Sequence, residues 1–270
     1  MLHWCSKIPV DFGHVTDASI RRDWGFEFIP TEGQVSVVIQ ILLNFLPLEL
    51  VDIIIDQAQY WCRIRFKRRG QGIANARNAV GKSAATCYLT TPRIPAQARV
   101  RAVLFLIKSN DQGWLPPSPI DAPVHYSDHD VHSAWSWFEA MIIRQSEEHP
   151  NMPSWLGSAT SQTDSDDRIG IEMSEEHLIA ENVVLVGPSP KRWYLTSNVQ
   201  AQIYDSEQAV FWFRDSHCAE EADLRWGRRN AREFVELLKP GDRITLVARA
   251  KYAGWENGVK CAAVEVFYSV

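Results

Sequence analysis

Residues 239–270 read KPGDRITLVARAKYAGWENGVKCAAVEVFYSV. Residues 239–242 form a turn sequence. Over residues 244–250 the side chains then alternate between two faces of a strand, and the even-numbered positions are all apolar. The alternation resumes over residues 261–268. Between the two runs, Asn257-Gly258 supplies residues that tolerate the positive φ of a tight turn. This stretch predicts a β-hairpin at the C-terminal end of the fold.

Further strand-like runs lie upstream of this predicted hairpin and are separated by turn residues. They cover residues 99–108, 134–143, 182–186, 193–202 and 209–213, and the predicted hairpin strands cover 242–251 and 258–268. Several short strands without long helices between them favour two packed antiparallel sheets. We therefore predict a mainly β fold, with an antiparallel jelly-roll-like (galactose-binding-like) β-sandwich over residues 95–270.

The segment before this predicted sandwich has a different pattern. Residues 1–34 show neither a strand nor a helix period, which predicts an irregular N-terminal arm. Apolar residues then recur at helical spacing, among them Leu50, Val51 and Ile54, which predicts an amphipathic helical segment over residues 35–62. Residues 63–94 are basic and rich in Gly, Ala, Asn and Ser, which is typical of a linker.

Charge limits the classes of partner. The net charge of −5 and a pI of about 5.9 argue against a protein that coats nucleic acid or an anionic membrane. Residues 57–110 hold eleven Lys or Arg and no acid, but they lack the interleaved aromatic residues that stack on bases. Nucleic acid therefore ranks below a protein or a glycan as the expected partner.

Hydropathy and cysteine content bear on the compartment. The most apolar stretch, residues 35–55, is interrupted by Gln40, Pro47, Glu49 and Asp52, so we expect no membrane span. The five cysteines are odd in number and scattered, which indicates neither a disulfide framework nor a cysteine zinc site. Residues 1–30 contain no secretory signal pattern, and we expect a cytoplasmic or nuclear protein.

A short run near the start of the helical segment resembles a known motif. Residues 46–54 read LPLELVDII and resemble the opening of an F-box, the helical motif by which substrate receptors dock on the Skp adaptor of cullin ubiquitin ligases. This resemblance implies an F-box-like helix that contacts a Skp-type adaptor protein. The residues that it assigns to partner binding are Leu46, Pro47, Leu50 and Ile54.

The rest of the chain carries a second, broader resemblance. The runs IKSNDQGW at 107–114, WSWFE at 135–139, KPGDRI at 239–244 and ARAKYAGWEN at 248–257 look like an uncharacterised fungal protein family. Members of that family pair an F-box-like N-terminal helix with a C-terminal β-sandwich. The resemblance implies this architecture and carries no assigned activity with it.

Tryptophan supplies the candidate ligand contacts of the sandwich, because eight of the eleven lie after residue 110. Trp135 and Trp137 share one face of a predicted strand, and we expect them in the core. Other aromatic residues fall in predicted loops or turns beside polar residues. The predicted ligand-binding residues are Asp111, Trp114, Trp255, Glu256 and Asn257.

Two further motifs bear on catalysis. Residues 76–83 read ARNAVGKS and nearly match a phosphate-binding loop, but Ala76 replaces the first glycine, which favours a linker. His125, His129 and His132 lie with Asp128 and Asp130 in a cluster that fits a divalent metal or a solvated loop, and the preceding prolines favour the loop.

No nucleophile or cofactor motif is present, so we expect no cofactor and predict a non-catalytic binding or adaptor protein. The alternative is a carbohydrate-active or metal-dependent enzyme that uses sandwich-loop carboxylates or the cluster from His125 to His132.

Overall fold

The computed structural model describes residues 29–76, 84–112, 135–145, 183–187, 191–198, 204–214, 231–252 and 254–270. Within these residues the helices are α1 (Glu32–Leu43), α2 (Leu48–Gln57) and α3 (Ala231–Leu237). The strands of the same described residues are β1 (Cys62–Asn75), β2 (Ala84–Thr90), β3 (Arg99–Asp111), β4 (Ser136–Gln145), β5 (Val183–Val186), β6 (Trp193–Ser197), β7 (Ser206–Phe213), β8 (Arg243–Ala250) and β9 (Glu256–Ser269). The prediction of a mainly β fold is confirmed.

The strands form two antiparallel sheets that pack face to face. Sheet A has the order β1-β9-β3-β7, and sheet B has the order β2-β8-β4-β5 with β6 also paired to β4. One apolar cluster joins Phe105 of sheet A to Phe138 and Leu246 of sheet B, and all three side chains are fully buried. Burial of such side chains is the main stabilising contribution to a sandwich of this kind.

The predicted terminal hairpin is wrong, although both of its strands exist. Strand β8 lies between β2 and β4 in sheet B, whereas β9 lies between β1 and β3 in sheet A. The chain crosses from one sheet to the other after Ala250, where Tyr252 has a φ of 70° and Gly254 a φ of 92°. Asn257 and Gly258 lie inside β9, opposite residues of β3. Alternation reports which face of a strand is buried, but it does not identify the neighbouring strand.

The predicted basic linker is also wrong, because residues 63–94 include most of β1 and all of β2. Strand β1 is an edge strand, so its outward side chains can be charged. The guanidinium groups of Arg63 and Arg65 lie 3.1 and 3.2 Å from the carboxylate of Glu265 on neighbouring β9, while Ile64 packs against the core. A sandwich that began at residue 95 would lack an edge strand of each sheet. The phosphate-loop-like residues 77–83 lie outside the described residues.

The predicted helical segment consists of two helices. Helix α1 starts inside the predicted irregular arm, where Thr31 and Gln34 form a reciprocal capping box. Pro47 occupies the N-cap position of α2 without a side-chain capping hydrogen bond, and the helix ends at Gln57 rather than Cys62, which belongs to β1. Proline disfavours helical backbone at the residue before it, which separates α1 from α2. Within the described residues, neither of these helices nor α3 has the length and apolar character needed to span a bilayer.

Candidate functional site

One end of the sandwich carries exposed aromatic side chains. Trp135, Tyr204 and Tyr252 are 42%, 74% and 49% exposed, and they are the exposed aromatic residues in the described part of the sandwich. Trp135 immediately precedes β4, Tyr204 lies just before β7, and Tyr252 follows β8. These strand ends lie at the end of the sandwich where β3 finishes. We call the surface formed by Trp135, Tyr204, Lys251 and Tyr252 the aromatic end.

Two rings of the aromatic end meet at a right angle. The ring centroids of Trp135 and Tyr252 are 4.6 Å apart, and their planes are inclined by 86°. The Nζ of Lys251 lies 5.0 Å from the centroid of the Tyr252 ring and 5.7 Å from that of the Trp135 ring. The backbone N–H of Lys251 donates to the carbonyl oxygen of Trp135 at 2.9 Å. The backbone therefore couples the end of β8 to the start of β4.

A buried polar network lies between the sheets at this end. Ser109 and Asn257 of sheet A, together with Ser136 and Asn198, are all 0% exposed. The Nδ2 of Asn198 donates to the Oγ of Ser136 and to the Oδ1 of Asn257, each at 3.0 Å. The Oγ of Ser109 donates to the Oδ1 of Asn198 at 2.7 Å. Satisfied buried networks of this kind fix one arrangement of the surrounding backbone.

The sequence-predicted ligand residues meet at this end, but most of them are buried. Asp111 is the register partner of Asn257, and the Nδ2 of Asn75 donates to the Oε1 of Glu256. Asp111 is 3% exposed and Asn257 is 0% exposed, while Glu256 is partly exposed. Trp255 is 6% exposed and belongs to the main apolar cluster. Trp114 lies outside the described residues, as does the cluster from His125 to His132.

The strand register places Trp135 and Trp137 outside the core. The inward positions of β4 are occupied by Phe138, Ala140 and Ile142, so the neighbouring Trp137 faces outward. The Nε1 of Trp137 donates to the carboxylate of Glu139 at 2.8 Å on that outer face. The prediction that the two tryptophans form the core is therefore wrong. The Glu139 carboxylate on the tryptophan face was the sequence signal that could have indicated the true orientation.

A second surface lies on α1 and α2. We call it the helical apolar face. It consists of eight large apolar side chains that are 41–80% exposed: Val37, Ile41, Leu43, Phe45, Leu48, Leu50, Ile53 and Ile54. Val35 of α1 and Val51 and Ile55 of α2 are buried instead. Of the residues predicted to bind a partner, Pro47 is also exposed and Leu46 is half-buried.

The helices are attached to the end of sheet A opposite the aromatic end. The Oη of Tyr268, near the end of β9, donates to the Oε1 of Glu32 at 2.7 Å. The guanidinium of Arg101, near the start of β3, lies 2.7 Å from the carboxylate of Asp56. Strand β3 has 13 residues and runs from one end to the other, which corresponds to roughly 40 Å. The two candidate surfaces therefore lie on opposite ends of one packed sandwich.

The buried ionisable groups of the described residues have structural partners. Glu139 accepts a hydrogen bond from Arg249 at 2.9 Å, and Asp242 accepts two from Arg144 at 2.7 Å each. Burial raises the pKa of the Cys87 thiol to about 12, which disfavours the reactive thiolate. Within the described ranges, no group of three or more His, Cys, Asp or Glu has the arrangement to hold a metal ion.

No protein-family model and no curated protein matches this chain.

Proposed function

We propose that the chain is a non-catalytic adaptor that docks on a protein partner through the helical apolar face and recognises a protein or glycan target with its sandwich. The observation that carries this proposal is the exposure of eight large apolar side chains between residues 37 and 54. Single exposed apolar side chains are common, but so many large ones within 18 residues of chain are typical of an interface. Covering such side chains on binding contributes about 25 cal/mol for each Å² removed from water.

The positions of the exposed side chains favour docking over a role in the core of the chain itself. Leu50 and Ile54 are exposed on the same helix whose Val51 and Ile55 are buried, so α2 has separate inward and outward apolar positions. These two exposed residues are among those that the F-box resemblance assigns to the partner. We therefore propose a Skp-type adaptor as the candidate partner.

The strand order supports a finer proposal for the sandwich, namely a jelly roll of the galactose-binding-like kind. In each of the orders β1-β9-β3-β7 and β2-β8-β4-β5, a strand from the group β1 to β4 alternates with a strand from the group β5 to β9. Such an order arises when a long antiparallel ribbon folds over into two Greek keys. Jelly rolls occur in lectin domains, and a binding role for the loops at one end agrees with the adaptor proposal.

We also propose that the protein works in the cytoplasm or the nucleus. Cys62, Cys87 and Cys261 are free thiols, which agrees with a reducing compartment. A Skp-type partner would be found in the same compartments.

The experiment compares the double variant Leu50→Asp/Ile54→Asp with a control variant, Ser36→Asp. Both place new carboxylates at exposed helical positions, but only the first alters the helical apolar face. We expect a purified Skp-type adaptor to bind the wild type and the control. It should bind the double variant at least tenfold more weakly, because the two new carboxylates replace apolar side chains that the partner would cover. Co-purification from native cells tests the same variants against other partners. Retention of every partner by the double variant would contradict the docking proposal.

A further inference from the structure

We infer that the aromatic end binds a saccharide, with Trp135 and Tyr252 as the stacking rings and Lys251 as a hydrogen-bond donor. This inference rests on the proposed function, in that it assigns the glycan target of the binding protein to a defined surface. It differs from the sequence-based expectation, because Trp255 and Asn257 are buried and Trp135 is exposed.

The shape of the cluster fits a sugar ring. A pyranose has a face of C–H groups and a rim of hydroxyl groups. The C–H face packs on an aromatic plane, while the hydroxyls need polar donors and acceptors beside it. Trp135 and Tyr252 form a right-angled corner, inclined by 86°, that offers one ring to the sugar face and the other to its side. The ammonium of Lys251 lies over the Tyr252 ring, 5.0 Å from its centroid, and can donate a hydrogen bond to a hydroxyl oxygen of a sugar that packs beside the rings.

The composition of this surface favours a saccharide over a protein. The exposed rings of the aromatic end offer flat surfaces, whereas the side chains of the helical apolar face are mostly aliphatic. Aliphatic side chains add burial in a protein interface, but they offer no plane to a sugar. Of the four described residues that form this surface, Lys251 is the basic one, and one ammonium suits hydroxyl groups better than a nucleic-acid backbone, which requires repeated cations.

The backbone holds the rings in place before a ligand arrives. Tyr252 has a φ of 70°, a conformation that is uncommon for a residue with a side chain and that is retained mostly at functional sites. The bond from the Lys251 N–H to the Trp135 carbonyl ties the two strand ends together, and the buried network of Asn198 and Asn257 supports them. Little conformational freedom is then lost when a sugar binds.

The test applies the full chain to a printed microarray of plant, fungal, bacterial and animal glycans. We expect the wild type to bind a related set of glycans, and we expect Trp135→Ala and Tyr252→Gly to lose at least tenfold in signal at equal protein concentration, because each removes a stacking ring. Tyr252→Gly is chosen because glycine accepts a positive φ, so loss of binding would not reflect loss of folding. Trp135→Phe should retain part of the binding.

The matched control is Phe45→Ala, which removes an 80% exposed ring from the helical apolar face. It should bind the array as the wild type does. A wild type that binds no glycan, or Trp135→Ala and Tyr252→Gly variants that bind as strongly as the wild type, would overturn the inference. If those two variants lose a protein from native co-purification while the array is blank, the aromatic end is a protein surface. The saccharide inference then fails. The adaptor proposal is tested separately by the Leu50→Asp/Ile54→Asp variant.

Discussion

Replacing Asn257 by aspartate tests whether the buried polar network holds the two sheets together. The Nδ2 of Asn257 in sheet A donates to the carbonyl oxygens of Trp137 at 2.9 Å and Arg249 at 3.2 Å, both in sheet B. Its Oδ1 accepts from Asn198 at 3.0 Å. Aspartate has the same shape, so Asn257→Asp creates no cavity; it removes the two donated hydrogen bonds and adds a negative charge.

The magnitude follows from these contacts. The carbonyl oxygens of Trp137 and Arg249 keep their bonds in the β4–β8 ladder, where the two residues are register partners. Two additional hydrogen bonds are lost in a site that is 0% exposed, and each contributes about 0.5–1.5 kcal/mol. The expected loss in the free energy of unfolding is therefore about 1–3 kcal/mol near neutral pH, as the sum of the two contributions. The new carboxylate also faces two carbonyl oxygens at close range, so the upper half of this range is the expected result.

The loss should depend on pH. Burial without a facing cation raises the pKa of the new carboxyl in the folded state above its unfolded value of about 3.9. The folded state then binds more protons than the unfolded state between these two pKa values, so stability falls as pH rises through this window. When protonated, the new carboxyl can also donate to one of the two carbonyl oxygens. Urea melts at pH 5 should therefore show a smaller deficit, relative to wild type, than melts at pH 7.5.

The control for this experiment is Asn257→Ala, which removes the same donors without adding a charge. Its deficit relative to wild type should be the same at pH 5 and pH 7.5. If Asn257→Asp unfolds at the wild-type urea midpoint at pH 7.5, or if its deficit does not change with pH, the network does not have the role that its geometry indicates. The hydrogen bonds between the sheets would then be incidental to stability.

The other predictions concern single positions. Trp255→Ala should lower the free energy of unfolding by about 3–5 kcal/mol, because Trp255 is part of the core; a loss below about 1 kcal/mol in urea melts would contradict that position. Gly258→Ala should destabilise by about 1 kcal/mol, since a Cβ at this glycine would lie 2.6 Å from the Oδ1 of Asn110 and that side chain must turn away, and adding Asn110→Ser should restore part of the loss in thermal melts. Tyr252→Gly should be more stable than Tyr252→Ala by about 1 kcal/mol, because the φ here is 70°, and equal melting temperatures would argue against strain. Cys87 should resist a thiol reagent at pH 8 until urea unfolds the chain, as burial raises the pKa of its thiol to about 12; rapid labelling of that peptide in the native protein would refute its burial.

The fold class was predictable from the sequence because strand alternation reports burial. Each of the seven predicted strands overlaps an observed strand, from β3 to β9. Pairing was not predictable, since the same alternation arises whether a strand pairs with its sequence neighbour or lies between two distant strands. Strands β1 and β2 escaped detection for another reason. The charges of β1 are typical of a linker when the sequence is considered alone, because Glu265, which compensates for two of them, lies 202 residues away from Arg63.

The candidate site was predictable as a location but not residue by residue. The sequence brought Asp111, Glu256 and Asn257 into one group, and the structure places them at one end of sheet A. It did not indicate which aromatic residues face water at that end. Trp135 and Trp255 exchange their expected roles because the side-chain orientation depends on strand register. The capping box at Thr31 and Gln34, in contrast, was visible in the sequence and would have located the start of α1.

The order of the strands has a consequence for biosynthesis. Strands β8 and β9 follow all the other described strands along the chain, and they are interior strands of sheets B and A respectively. On a ribosome, β1 and β3 therefore have no common neighbour until residues 256–269 emerge, and β2 and β4 wait for β8. In a nascent chain of this protein, β1 to β4 lack their central partners until these two strands have been made, although β7 can pair with β3 and both β5 and β6 can pair with β4. A premature stop before residue 243 would yield a product with neither sheet complete, a substrate for chaperones and proteases rather than a shortened but folded protein.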